Sequence, residues 1–225
     1  ALRELTLAPV RVVWCQDLGT GNDTTAQGTN LCLMGLDTED GHGERAILPQ
    51  PSNYARPLIT PRGDRVIFSN RQAKKIYVVN WDGTGLRCLT NGFAIAVWQD
   101  PADDREWVYG GNFAPGSDAL QSVSRAPIDE INRIETVWTH TLMHPDNFQI
   151  SADGRRASGN MPWPVCGLLE MPNGTWKKYG DGCWPSLAPE GAGLFWIFDG
   201  AHRNLTLFQT ETDERWQVPI NGAHA

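Results

Sequence analysis

The chain has 225 residues, of which 40% are hydrophobic and 20% charged, and its formal net charge is −7 at pH 7. This length allows one well-buried domain. The acidic balance excludes a typical nucleic-acid-binding protein, because neutralising phosphates requires clustered Lys and Arg. No apolar run reaches the roughly 18 residues of a membrane-spanning helix. The start at Ala1, without an initiator Met, indicates a processed or trimmed chain.

A short pattern recurs five times along the chain: a strand end with proline or a small residue, a tight turn, and then an apolar strand. The copies begin at Leu7, Ile59, Trp98, Ile150 and Leu187. They are spaced roughly 40–50 residues apart, which with about four strands per unit is the signature of a β-propeller. We therefore predict an all-β fold, a β-propeller of five blades with four antiparallel strands each. The propeller would form a single domain over residues 1–225, either complete or a piece of a longer protein.

The predicted strands follow in chain order. The first blade has strands at 11–15, 31–36 and 45–48, with residues 4–7 as the candidate inner strand. The second has 53–61, 65–70, 75–80 and 86–90, and the third 93–98, 106–109, 122–126 and 134–138. The fourth has 147–151, 156–159, 165–170 and 176–179, and the fifth 184–187, 194–198, 204–209 and 215–218. Asp-Gly and Pro-containing turns join them, as short antiparallel strands require.

The second unit is the clearest copy of the repeat. It reads T-P-R-G-D-R-V-I-F-S-N from Thr60, and K-I-Y-V-V-N-W-D-G-T-G-L-R-C-L-T from Lys75. This pattern resembles the TolB-type, WD-repeat-like propeller repeat, whose members commonly have six or more blades. The family covers envelope assembly factors, peptidase domains and polysaccharide lyases. The resemblance therefore implies the fold far more than an activity.

One face of the predicted propeller is rich in long loops. Loops between second and third strands lie beside those that enter the next blade, and the insertions 16–30 and 110–121 belong to this set. Long loops on a rigid scaffold are where binding residues usually lie. Aromatic side chains of this loop-rich face could stack on sugar rings, and its polar side chains could form hydrogen bonds with a ligand. The candidate ligand-binding residues are His144, Asn147, Trp163, Trp184, His202, Arg203 and Asn204.

Other donors in the same loops suggest a metal site. His140, His144 and Gln149 could hold a divalent cation. These residues resemble, in type only, the His and Gln residues that propeller lyases of the pectate type use around a metal at the channel mouth, and no full motif of that family is present. The spacing nevertheless matches no zinc or calcium motif. The sequence also lacks a G-x-S-x-G elbow and a P-loop, so no nucleophilic or phosphate-binding motif points to catalysis.

Five cysteines leave at least one thiol unpaired within the chain. Neighbouring strands predict the bridges Cys15–Cys32 and Cys166–Cys183, with Cys88 free, provided that the register brings the Cα atoms within about 7 Å. The alternative is that all five are small buried hydrophobic residues.

The sequence leaves two main classes of function open, and a third possibility is a purely structural piece of a larger multidomain protein. We predict a non-catalytic binding module of an exported, periplasmic or extracellular protein, which needs no cofactor and recognises a carbohydrate or a protein partner at the loop-rich face. The alternative is a metal-assisted polysaccharide lyase or hydrolase with its His/Gln site and a divalent cation at the channel mouth.

Overall fold

The computed structural model describes residues 2–19, 27–171, 174–188 and 193–220. Part of the insertion at 16–30 and part of the fifth copy of the recurring pattern lie outside these residues. The regular structure described is almost entirely antiparallel β-sheet. The helical segments described are α1 (Leu2–Thr6) and a 3₁₀ turn (Pro145–Asn147). No helix in the described ranges is long and apolar enough to cross a membrane.

The strands form five sheets, in which each strand pairs with its neighbour in the chain. The first sheet contains β1 (Arg11–Asp17), β2 (Leu31–Asp37) and β3 (Arg45–Ser52). The second contains β4 (Tyr54–Ile59), β5 (Arg65–Asn70), β6 (Lys75–Asn80) and β7 (Arg87–Asn91). The third contains β8 (Phe93–Gln99), β9 (Glu106–Gly111), β10 (Val123–Pro127) and β11 (Glu135–Trp138). The fourth contains β12 (Gln149–Ile150), β13 (Arg156–Asn160), β14 (Val165–Glu170) and β15 (Trp176–Asp181). The fifth contains β16 (Cys183–Leu187), β17 (Leu194–Phe198), β18 (Asn204–Gln209) and β19 (Arg215–Pro219).

The predicted strand positions are confirmed for four of the five sheets, and the first sheet differs. It has three strands instead of four, because Leu2–Thr6, which covers most of the candidate inner strand, forms a helix. Leu, Arg and Glu are good helix formers, and Glu4 lies in the first turn, where a negative charge is favourable. As a result β1 is an edge strand of its sheet.

The chain divides into two compact units, residues 1–97 and 98–225, with the boundary inside β8. The core of the first unit lies between the first and second sheets. Phe68 of β5 stacks on Tyr77 of β6 with ring centroids 5.5 Å apart, and its ring meets Tyr54 of β4 edge-on at 5.2 Å. The Asp-Gly turn after β6 needs its glycine, because Gly83 has φ +84° and an added Cβ would lie 2.5 Å from the Ile47 carbonyl oxygen.

The second unit has its own core between the fourth and fifth sheets. Cys166 and Leu168 of β14 pack against apolar side chains of the fifth sheet. Burial alternates along β17, as expected for a strand with one packed face. The packed face of the fifth sheet comprises Leu187, Phe195, Ile197 and Phe208. Its other face, which we call the open face, carries the polar side chains Ser186 and Gln209 together with Leu194, Trp196, Phe198, Leu205, Leu207, Trp216 and Val218.

Candidate functional site

The sequence predicts that the site is built by four loops, at residues 139–147, 160–164, 180–184 and 199–204. Hydrogen bonds join the first three. The His144 N–H donates to the Asn160 carbonyl oxygen at 3.0 Å, and Asn147 Nδ2 donates to Asn160 Oδ1 at 2.6 Å. The Gly182 N–H donates to the Pro164 carbonyl oxygen at 2.9 Å. These bonds place the entry loop of the fourth sheet, the loop after β13 and the loop before β16 next to one another.

The fourth loop joins them through an aromatic cluster. The Trp184 ring stacks on His202 at 4.6 Å between centroids, with 26° between the planes. Phe198 meets both rings edge-on, at 5.8 Å from Trp184 and 6.2 Å from His202. We call Trp184, Phe198 and His202 the aromatic shelf. Trp184 is 52% exposed, and Trp163 on the adjoining loop is 59% exposed. The structure therefore brings two exposed indoles onto hydrogen-bonded neighbouring loops.

The backbone at the shelf is unusual. Trp184 and His202 have φ of +47° and +55°, in the left-handed region that side chains larger than glycine rarely adopt. Trp184 precedes Pro185, and the pairing of β16 with β17 shifts register between Cys183 and Ser186. This irregularity takes Trp184 out of the strict alternation of the strand. Left-handed non-glycine residues cluster at functional sites, so the outlier directs attention to Trp184.

The same backbone irregularity occurs in the first unit. Arg56 precedes Pro57 in β4, has φ +47°, and lies where the pairing with β5 shifts register. Its guanidinium donates to the Ile95 carbonyl oxygen through Nε at 3.2 Å and Nη2 at 3.0 Å. The equivalent positions of two sheets thus carry an arginine bound to backbone and an exposed tryptophan.

Asp199 organises the turn that carries His202. Its Oδ2 accepts from Asn204 Nδ2 at 2.7 Å, and its Oδ1 accepts from the Arg203 N–H at 2.8 Å. The hydrogen bond from Asn204, followed by that from Arg203, lowers the pKa of Asp199 below its ordinary value. Asn204 therefore builds the turn through its side-chain amide, whereas the Arg203 side chain is exposed beside the shelf.

Asn147 lies below the loops instead of on their surface. We expect polar ligand-binding side chains to be open to solvent when no ligand is bound, but Asn147 is only 7% exposed. The 3₁₀ turn that carries it turns its amide inward onto Asn160, whose Nδ2 approaches Cys166 Sγ at 3.1 Å and the Gly182 carbonyl oxygen at 3.3 Å. Asn147 Oδ1 has no hydrogen-bond partner within the described ranges. This amide network supports the loops from beneath.

The predicted metal donors are engaged elsewhere. Gln149 Oε1 accepts from the Leu187 N–H at 3.3 Å, and His144 Nδ1 accepts from the Asp146 N–H at 3.4 Å. The His140 ring lies against Trp138, with centroids 5.0 Å apart. In the part of the chain that the structure describes, no group of three or more His, Cys, Asp or Glu side chains is placed to hold a metal ion. The donor set as arranged does not fit a cation site.

All five cysteines are free thiols, so neither predicted bridge is formed. In the first sheet Cys15 pairs with Leu33, and Cys32 pairs with Gln16. Because side chains on a strand alternate, this register directs the two thiols to opposite faces of the sheet. Burial raises the pKa of Cys15 to about 11, with a further increase from Cys32.

The Cys166 thiol donates to a backbone carbonyl oxygen instead of forming a disulfide. Cys166 Sγ lies 3.2 Å from the Gly182 carbonyl oxygen, whereas Cys183 pairs with Phe198 in the fifth sheet. Burial raises the pKa of Cys166 to about 12. Cys88 is exposed, as expected for the thiol predicted to be free.

The sequence gives no specific role to three residues that shape the site. It predicts Phe198 only as part of a strand, although a position at the strand end favours contact with the following loop. Asp199 followed by Gly200 predicted a turn but not the carboxylate that holds it. Asn160 gave no signal in the sequence, because its role depends on two other loops.

Comparison with known proteins supports the fold alone. No protein-family profile matches the sequence, and no curated protein matches it. Similar solved structures include a chain of the Nidogen/Laminin complex, with TM-score 0.61, 12% identity, and coverage of 93% of this chain and 75% of that one. The dihydro-heme d1 dehydrogenase NirN has TM-score 0.61 and 14% identity, with coverage of 84% and 43%. An oligogalacturonate lyase in complex with manganese has TM-score 0.50 and 15% identity, with coverage of 83% and 53%.

This chain thus spans only about half the length of the lyase. The likenesses confirm that the antiparallel sheets, one of three strands and four of four, are those of a β-propeller-like fold.

Proposed function

We propose that this chain is a non-catalytic binding module that receives a carbohydrate on Trp163 and the aromatic shelf. The observation that carries the proposal is the exposed Trp184 ring, stacked on His202 and held by a left-handed backbone. Indole and imidazole faces can stack on the apolar face of a sugar ring, and a tryptophan fixed in place loses little entropy on binding. The exposed Arg203 beside the shelf is available to donate hydrogen bonds to sugar hydroxyl groups.

A protein partner is the other ligand that such a surface suits, since exposed tryptophans also anchor protein interfaces. We favour a carbohydrate because the shelf combines flat rings with a neighbouring guanidinium. The closed ring of five blades, the single domain over residues 1–225 and the periplasmic or extracellular location stay predictions. Small-angle scattering would test the ring, and localisation of the tagged full-length protein would test the export.

The enzymatic alternative is a metal-assisted polysaccharide lyase or hydrolase. Its only support is the likeness in fold to a lyase solved in complex with manganese. The predicted donors His140, His144 and Gln149 would have to exchange their present contacts to reach a shared cation. Incubation of the protein with acidic and neutral polysaccharides, with and without added Mn²⁺, would reveal bond cleavage if the alternative holds.

The experiment for the proposed function is a glycan array followed by calorimetry with the best ligand. Trp184→Ala should weaken binding about 10- to 30-fold, which corresponds to about 1.4–2 kcal/mol, the loss typical of an aromatic anchor. The matched control is Trp216→Ala, because Trp216 lies in the same unit and is 46% exposed but belongs to the open face. It should leave glycan affinity unchanged. Equal losses in the two variants, or a protein that binds no glycan, would contradict the proposal.

A further inference from the structure

Trp163 lies at the tip of a short, restrained turn between β13 and β14. Two backbone hydrogen bonds close the turn: the Met161 N–H donates to the Val165 carbonyl oxygen at 2.9 Å, and the Val165 N–H donates to the Pro162 carbonyl oxygen at 2.7 Å. A proline on each side of Trp163 has its own φ fixed near about −65°. The exposed Trp163 indole is therefore carried by a backbone with little freedom to move.

A short connected path leads from Trp163 to Trp184, and all of it belongs to the second unit. Pro164 follows Trp163, and its carbonyl oxygen accepts from the Gly182 N–H at 2.9 Å. Cys183 then connects Gly182 to Trp184. Consecutive Cα atoms are about 3.8 Å apart and hydrogen-bonded neighbours about 5.5 Å, so the two tryptophan Cα atoms are at most about 18 Å apart.

The two indoles form two separate platforms. Trp163 belongs to a turn of the fourth sheet, whereas Trp184 stacks on His202 and meets Phe198, both of the fifth sheet. Packed sheets lie about 10 Å apart. One sugar ring held between both indoles would require them to be about 7–8 Å apart, which is twice the optimal distance between carbon atoms. A chain of several sugar rings is therefore needed to reach both platforms.

The path between the platforms carries short, uncharged side chains. Pro164 is exposed and Cys183 is half-buried, while Gly182 is buried. An added Cβ at Gly182 would lie 2.3 Å from the Phe198 carbonyl oxygen, so a larger residue does not fit there. No large or charged side chain on this path separates a sugar on Trp163 from a sugar on the aromatic shelf.

We propose that the carbohydrate site takes a linear oligosaccharide, with one sugar ring stacked on Trp163 and another on the aromatic shelf. This inference rests on the proposed function and adds the length of the ligand to it. Two contacts made by one ligand reinforce each other, because binding at one platform raises the effective concentration of the second sugar ring at the other. A fragment that reaches only one platform should therefore bind much more weakly.

Calorimetry of the wild-type chain with neutral β-linked oligomers of glucose, xylose and N-acetylglucosamine, from one to about six units, tests this length dependence. In a series that binds, affinity should rise at least about 100-fold from the monosaccharide to the longest oligomer, and level off once the ligand spans both platforms. Trp163→Ala and Trp184→Ala should each lower the affinity for that oligomer about 10- to 30-fold. The double variant should lose about the product of the two factors, because separate contacts contribute additively.

Equal affinities for the monosaccharide and the longest oligomer overturn this inference and leave the proposed function standing. A double variant that binds no more weakly than either single variant also overturns it, because that result means one sugar ring held between both indoles. A chain that binds none of these oligomers overturns it as well, and the glycan array decides separately whether the proposed function fails. The length series uses the unaltered chain, so it stands even where an alanine variant fails to fold.

Discussion

The register of the fifth sheet predicts a large difference between two phenylalanines three residues apart on β17. Phe195 is fully buried in the packed face, with its ring 5.0 Å from Tyr179 and 5.8 Å from Phe208. Phe198 is half-buried on the open face. Truncation to alanine removes the same atoms at both positions. Any difference in stability therefore reports the surroundings of the ring.

The magnitude follows from that difference in burial. Phe195→Ala should lower the free energy of unfolding by about 3–5 kcal/mol, because it loses the transfer energy of the ring and leaves a closed cavity. Phe198→Ala should cost only about 1–2 kcal/mol, since solvent can fill the space and part of the ring is already in water. For a chain of this size each kcal/mol lowers the midpoint by about 2–4 °C, so the two midpoints should differ by several degrees.

Urea unfolding followed by circular dichroism measures both values, with the m-value as a check that the unfolding reaction is unchanged. A loss below about 1 kcal/mol for Phe195→Ala would mean that the packed face is not a core. Equal losses for the two variants would mean that the register of β17 is different from the one described.

Two further predictions concern a turn and a carboxylate. Gly154 and Gly116 both have φ +69°, but an added Cβ at Gly154 would overlap the Trp98 indole whereas Gly116 has open space, so Gly154→Ala should cost about 1–3 kcal/mol more than Gly116→Ala in the same unfolding assay. The hydrogen bond from the Glu39 N–H and that from Arg11 lower the pKa of buried Asp37. Its contribution to stability should therefore be present at neutral pH and be lost as the pH falls below about 4 through the folded pKa. Asp37→Asn should flatten this acid dependence of the thermal midpoint, and an unchanged acid limb would refute the assignment.

The strands could be predicted because short apolar segments alternate with turn residues throughout the chain. For example, turn residues precede Arg65–Asn70 and follow Lys75–Asn80, as is typical of short antiparallel strands. The segment before β1 could not be assigned in the same way. Four residues are too few for the period to separate strand from helix, and the helix-forming residues decided the outcome.

The candidate site was predictable as a group of loops but not in its details. The neighbouring positions of the loops follow from the order of strands in a meander. The orientation of the Trp184 side chain depends on the register shift between Cys183 and Ser186. That shift depends on how β16 pairs with β17, which the local sequence does not specify. The burial of Asn147 depends on Asn160, 13 residues away, and such long-range hydrogen bonds leave no pattern in the sequence.

The X-Pro irregularity of β4 recurs in β16 with a different side chain. At both places the pairing shifts register around the X-Pro step, and the strand stays paired with its neighbour on either side of the shift. Arginine occupies one position and tryptophan the other, so the backbone accepts a cation or an indole with the same φ of +47°. The same backbone step therefore serves two purposes in this chain: Arg56 ties its strand to the Ile95 carbonyl oxygen, and Trp184 is left exposed on the surface.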